Sequence, residues 1–366
     1  MGTYRGTILT KSPFFITESG PGGFTSNLEI RVWRGAIGLK PSAPTYTLAK
    51  QAVSSAETKV TFEISKLLSD FPETKGNLYD IPQSDSKTSW YVNLKSFGGT
   101  TNIDDDYFFI NGYSDFLDGI NYNIGGSKAL IKTRKLYIPD ENSDDIHIPV
   151  YIEHASFGGI TNEIRSYTSD GTQTTTTINY ETDDSLYVTK HISLPSQISG
   201  KDVVRLRFLE STSGDWHEDI EVKRVICNAH GHTEILFENS YGVLESTFFF
   251  GNNKKSSDIK KDKYKSQLVY NNGGSAYYDV TQHQYNSYNV TGLNKITINS
   301  GVVDEDYATV INEIINSPKI WLVIDDVLTP VTLDTKQIQY ISDFDSKIVN
   351  YTLKFTYAFN NANMVY

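Results

Sequence analysis

KIVNYTLKFTYAF (Lys347 to Phe359) puts Val349, Tyr351, Leu353, Phe355, Tyr357 and Phe359 on one side of an extended chain, with Asn350, Thr352, Lys354 and Thr356 on the other. Period two over that length marks a strand with one buried face. Upstream, Ile296 and Ile298 mark a second strand that ends at Ser300-Gly301. Tyr307, Val310, Ile311, Ile314 and Ile315 then recur at i, i+3, i+4, i+7 and i+8, the apolar stripe of a helix. Asp304 or a neighbour can cap it, acids in its first turn suit the macrodipole, and Pro318 closes it. IWLVI (Ile320 to Ile324) reads as a near-continuous apolar strand, with a turn at Asp325-Asp326. The block predicts a helix over 304–317 packed on a sheet.

Working outward, the same alternation recurs with turn residues between. Leu28 to Trp33, Val60 to Phe62, Ser89 to Leu94 and Tyr107 to Tyr113 read as strands in the N-terminal third. Ile64, Leu67, Leu68 and Phe71 change to helical spacing before Pro72, predicting a short helix over 63–71. In the middle, Leu136 to Ile138, Ile148 to Ile152, Thr172 to Ile178, Leu186 to Val188, Val203 to Phe208 and Ile220 to Ile226 follow one another at sandwich-like spacing. Ile235 to Phe237 and Ser246 to Phe250 flank a turn at Asn239 to Gly242. The expected fold is mainly β: two or three sandwich- or barrel-like domains, with a short helix in the N-terminal and C-terminal ones. Boundaries are expected at 1–128, 129–275 and 276–366. Strands beside a helix at both ends also raise an internal duplication, although the two blocks do not align.

Composition agrees. The 366 residues include 24 Tyr and 18 Phe against two Met, as pleated half-buried surfaces favour. The single cysteine, Cys227, excludes an intramolecular disulfide, and assembly in a reducing compartment is the simpler expectation. The first residues show no apolar signal region and no stretch is long and apolar enough to span a membrane, so neither is expected. A formal charge of −11 argues against a general nucleic-acid binder. The exception is NNKKSSDIKKDKYK (252–265), whose six lysines are interrupted by aspartates and read as a solvated loop.

Candidate chemistry is sparse. Cys227, His230 and His232 in CNAHGH could offer zinc ligands, but a structural site needs four and no second close pair exists. Acid clusters at Asp104 to Asp106, Asp144-Asp145, Asp183-Asp184 and Asp325-Asp326 lack the spacing of a calcium loop and read as turns. No nucleophile elbow or phosphate-binding loop is present, and Gly pairs such as Gly273-Gly274 read as loops. Neither a cofactor nor a metal is expected, and no enzymatic activity.

Three separated blocks resemble structural proteins of tailed bacteriophages, including crAss-like and other phages of Bacteroidetes hosts. They are Ile296 to Leu333 with Lys347 to Asn363; VWRGAIGLKPSAPTYTLAK (32–50) with VTFEISKLLSDF (60–71); and VKRVICNAHGHTEILFENSYGVLESTFFF (222–250). The shared motifs are packing and turn signatures without catalytic content. The resemblance implies a tail hub, ring or adaptor in the virion, assembled in the host cytoplasm. It implies a threefold, sixfold or twelvefold homo-oligomeric ring that meets other tail or portal-vertex proteins. Unprotected β edges, which ring closure would pair, and the C-terminal helix and last strand then become the expected assembly elements, the latter through Tyr307, Ile311, Ile314, Tyr351, Phe355, Tyr357 and Phe359. The second reading is a module that binds carbohydrate or a host surface through Trp33, Trp90, Trp216 or Trp321, since aromatic faces stack on sugars.

Overall fold

The computed structural model of the chain describes residues 3–34, 39–72, 90–124, 128–139, 147–153, 162–168, 171–178, 187–193, 203–209, 216–225, 231–324, 327–335 and 348–359. Among them the chain is mainly β, as expected. The N-terminal part comprises β1 (Thr3–Leu9), β2 (Phe15–Ser19), β3 (Thr25–Arg34), β4 (Tyr46–Gln51), β5 (Lys59–Glu63), α1 (Ser65–Leu68), β6 (Trp90–Phe97) and β7 (Asp104–Ile110). Five of these strands form a sheet in the order β1-β7-β6-β3-β4, antiparallel except where β1 meets β7.

Period two buries both faces of that sheet. Ile8, Leu28, Ile30, Val92, Leu94 and Phe109 share a core with Ile16, Val60, Phe62, Ile64 and Leu68 from the β2–β5 pair and α1. Leu9, Trp33, Tyr91, Phe108 and Ile110 point the other way, onto Ile124, Leu130 and Val243. The second face therefore joins this part to the rest of the molecule. The helix expected over 63–71 is only the four residues of α1; Phe71 N–H bonds back to the Leu68 carbonyl at 3.2 Å, a tighter turn that ends it before Pro72. Asp104 to Asp106, expected as a turn, begin β7; Asp106 is buried against Lys40 Nζ at 2.9 Å and accepts from Asn93 Nδ2 at 2.7 Å.

The middle part holds β8 (Lys128–Ala129), β9 (Lys135–Pro139), β10 (His147–Glu153), β11 (Asn162–Thr168), β12 (Gln173–Ile178), β13 (Tyr187–Ser193), β14 (Val203–Leu209) and β15 (Trp216–Val225). They form two sheets, β13-β10-β8 and β12-β11-β14-β15-β9. The chain continues as β16 (Thr233–Glu238), β17 (Leu244–Phe249), β18 (Lys254–Lys265), β19 (Tyr270–Asn272), β20 (Ser275–Tyr277), β21 (Tyr285–Asn299), β22 (Val303–Asp304), α2 (Ala308–Asn316), β23 (Ile320–Ile324), β24 (Val327–Leu333), β25 (Ile348–Val349) and β26 (Thr352–Tyr357). Seven of these build one antiparallel sheet, β17-β16-β23-β24-β26-β21-β18. Its strands come from both sides of the boundary expected at 275/276, which falls inside the β19–β20 hairpin.

One face of this sheet lies under α2. Val310, Ile311 and Ile314, with Tyr307 from the turn before the helix, bury against Ile235, Phe237, Ile296, Ile298, Leu322, Leu353 and Phe355. Asp304 precedes that turn but makes no side-chain cap. Its carboxylate instead pairs with Lys135 Nζ at 2.8 Å and Lys223 Nζ at 3.3 Å, tying the helix start to the middle part. The Lys135 hydrogen bond leads in holding it down to about 2. The final alternation is split: Val349 pairs with β22, and β26 begins at Thr352. Truncating this core should be costly. Ile311→Ala and Phe355→Ala should each remove about 2–5 kcal/mol, read as a lower denaturant midpoint at unchanged slope. Exposed Lys354→Ala on the opposite face should stay within about 0.5 kcal/mol of the parent.

Candidate assembly surface

The seven residues expected to form an interface divide sharply. Tyr307, Ile311, Ile314, Tyr351 and Phe355 are buried in this chain's own core, so they are not available to a neighbour. Tyr357 is half-buried and packs edge-on against Phe359, which is exposed. The reason is generic: the strongest periodic pattern in a sequence is the one its own core uses. Of the tryptophans, Trp33 is buried in a stack with Tyr91, Trp90 packs with Phe71 and Phe109, and Trp321 packs beside Leu236 and Leu244. Trp216 begins β15. Cys227, His230, Asp144-Asp145, Asp183-Asp184 and Asp325-Asp326 lie outside the described residues. His232 packs edge-on against Phe248, and no cluster of metal-ligating side chains occurs among the described residues.

The densest polar site is a junction around the turn Asn239 to Gly242. Gly242 has φ +74°, and an added Cβ would lie 2.2 Å from the carbonyl oxygen of Asn111. Glycine there lets the turn press onto the N-terminal part, where Tyr113 N–H donates to the Ser240 carbonyl at 2.6 Å. Lys11 Nζ meets buried Glu238 at 2.7 Å, and Glu313 accepts from Ser240 N–H at 2.6 Å while pairing with Lys132 at 3.2 Å. Asn239 Nδ2 donates both to the Leu130 carbonyl and to Glu245, at 2.6 and 2.9 Å. Burial pushes the Glu245 carboxyl up to about 8, with Asn239 opposing, Glu313 adding to the rise and Lys132 opposing it. All three parts of the chain meet here.

The segment read as a solvated lysine loop is β18, every residue of it exposed. It pairs with β21 from Lys254↔Thr297 to Lys265↔Tyr285, with a bulge opposite Lys261 and Asp262. The ladder continues through Ser266 N–H to the Gln284 carbonyl, then β19–β20. It ends at Gly273-Gly274, both at positive φ as a tight hairpin turn requires. β26 pairs with β21 only from Lys295 to Asn299. Among the described residues, the two strands run on beyond Lys295 for about 30 Å as a ribbon without a third strand.

The ribbon's faces differ. The face continuous with buried Ile296 and Ile298 carries Ile259, Val290 and Tyr285 together with Lys255, Lys261, Lys263 and Lys265, and no acid. The opposite face alternates Lys254, Asp258, Lys260 and Asp262, with Lys295 held to Asp258 at 2.7 Å. Tyr264 and Tyr288 pack on that face, and Tyr270 packs with Tyr277 nearer the tip. A two-stranded ribbon is marginal alone in water, and exposed Ile259, Val269, Val280 and six tyrosines remain uncovered.

No family model and no curated protein matches the chain. Among solved structures it is similar to the surface layer protein SbsC, domains 1–6, at 12% identity over 94% of this chain and 50% of that chain, with a TM-score of 0.16. The chain thus spans about half the length of that structure, and a score so low bears on neither fold nor function.

Two outcomes test these descriptions. Glu245 binds its proton more tightly folded than unfolded, so stability should fall as pH rises from the ordinary carboxylate range through about 8 and then level off. Glu245→Gln, which cannot ionise, should abolish that slope and melt higher than the parent at the alkaline end; parallel melting curves would show that Glu245 is ionised in place. Replacing Lys260 to Thr291 with Asn-Gly, directly across the Ile259↔Gly292 pair, removes no core residue. The shortened chain should keep its circular dichroism and melt within a few degrees of the parent.

Proposed function

We propose that this chain is a non-catalytic structural subunit that works by associating with copies of itself, as a hub, ring or adaptor of a bacteriophage tail. The observation that carries the self-association is the ribbon: two long strands leave the sheet with apolar and tyrosine side chains bare. Exposed apolar surface of that kind marks a site of protein contact. The virion setting is supported by the three blocks resembling phage structural proteins, and those blocks include the β16–β17 turn at the junction. A rigid body with a projecting arm suits head-to-tail contacts, which close into rings or extend as filaments. Neighbouring tail or portal-vertex proteins would then meet the assembled ring, in a particle built in the host cytoplasm.

Purified full-length protein should form particles of threefold, sixfold or twelvefold symmetry in negative-stain images, with a matching mass by light scattering. A folded chain that stays monomeric at every accessible concentration would sink the reading.

A further inference from the structure

We infer that the lysine-bearing face of the β18–β21 ribbon docks on the loop Asp115 to Ile120 of a second copy of this chain. The inference rests on the self-association proposed above and names the two surfaces that make it. The loop is built to present apolar side chains. Phe116 to Asp118 form one short 3-10 turn, closed by Asp115 N–H donating to Asp118 at 2.9 Å and Asp118 N–H donating to the Asp115 carbonyl at 3.0 Å. Asn121, at φ +55°, clamps the loop to the body: its side chain accepts from Phe15 N–H at 2.7 Å and donates to the Phe15 carbonyl at 2.9 Å. On this braced turn Phe116 and Leu117 are 97% and 94% exposed, and Ile120 is 63% exposed. A loop so fixed loses little freedom on binding.

The two surfaces complement each other in pattern and sign. The loop sets Phe116 and Leu117 between Asp115 and Asp118, with Ile120 two residues further on. The ribbon face sets Ile259, Val290 and Tyr285 among Lys255, Lys261, Lys263 and Lys265. Over Lys254 to Asn299 the ribbon holds seven lysines and three aspartates, a formal +4, which leaves −15 on the rest of a chain of −11. A basic arm on an acidic body finds its complement in another copy of that body. Within one chain the surfaces do not meet, since Ile259 is 60% exposed and Phe116 almost wholly so.

Area decides the form of the assembly. A ribbon face about 30 Å long and two strands wide covers roughly 300 Å², well under the ~800 Å² per partner of a stable interface. A single contact is therefore weak. In a closed ring every copy both gives an arm and receives one, so closure adds a contact at no cost in further subunits.

Sedimentation velocity on the full chain, over a wide concentration range at low and high salt, tests this. Lys261→Glu/Lys263→Glu/Lys265→Glu and Phe116→Ser/Leu117→Ser change only exposed groups, and each should weaken self-association about tenfold or more. High salt should also weaken the parent. Mixing the ribbon-reversed chain with the loop-substituted chain leaves one good contact per pair, so a one-to-one complex should form only at the highest concentrations and nothing larger at any. If the parent assembles and both variants assemble equally well, the docking is wrong while the structural role stands. If the parent never assembles, the structural role fails and the docking with it.

Discussion

A helix of nine residues lies on a sheet whose longest strand has fifteen. At 1.5 Å per residue α2 covers about 14 Å, whereas β21 extends for about 50 Å. The helix therefore buries Ile296 and Ile298 at one end of β21 and leaves the remainder without a core. Everything distinctive about the molecule follows from that mismatch in length. The covered end belongs to a conventional helix-on-sheet core. Among the described residues the uncovered end has hydrogen bonds to β18 and the Tyr264–Tyr288 contact but no buried apolar cluster, and it carries exposed lysines and tyrosines.

The remaining architecture holds the covered end rigid. The N-terminal sheet is buried on both faces, and its second face ends on Val243 beside the Asn239 turn. Around that turn, Lys11, Lys132 and Asn239 satisfy Glu238, Glu313 and Glu245, so three distant stretches of chain share one buried network. Such networks are valuable only when complete, because removing one partner leaves a buried charge without compensation. Asp304, held by Lys135 and Lys223, repeats the device at the start of the helix. A body fixed at these points gives the ribbon and the Asp115 to Ile120 loop definite positions, as the proposed contacts between identical subunits require.

Period and burial were legible together wherever a side chain faced the chain's own core. The stripe from Tyr307 to Ile314 and the alternation from Val349 to Phe355 could be read directly, since 3.6-residue and two-residue periods arise from one-sided burial. The ribbon escaped for the complementary reason. β18 is exposed on both faces, so its sequence has no period to detect, and its strand character comes from hydrogen bonds to β21. Gly273-Gly274 could have signalled the hairpin, as adjacent glycines suit a two-residue turn. The same logic governs the expected interface: five of its seven residues, those with the clearest pattern, are already committed to the core.

The sequence by itself determined a mainly β chain, most of its strands, the stripe that α2 buries and the acidic balance of the whole, because these depend on composition and local periodicity. Tertiary structure alone decided that strands on both sides of residue 275 share one sheet, that Glu245 and Glu313 meet Lys132, and which apolar residues stay bare. Those outcomes depend on which distant segments pair, and pairing is set by long-range packing that leaves no periodic trace in either partner.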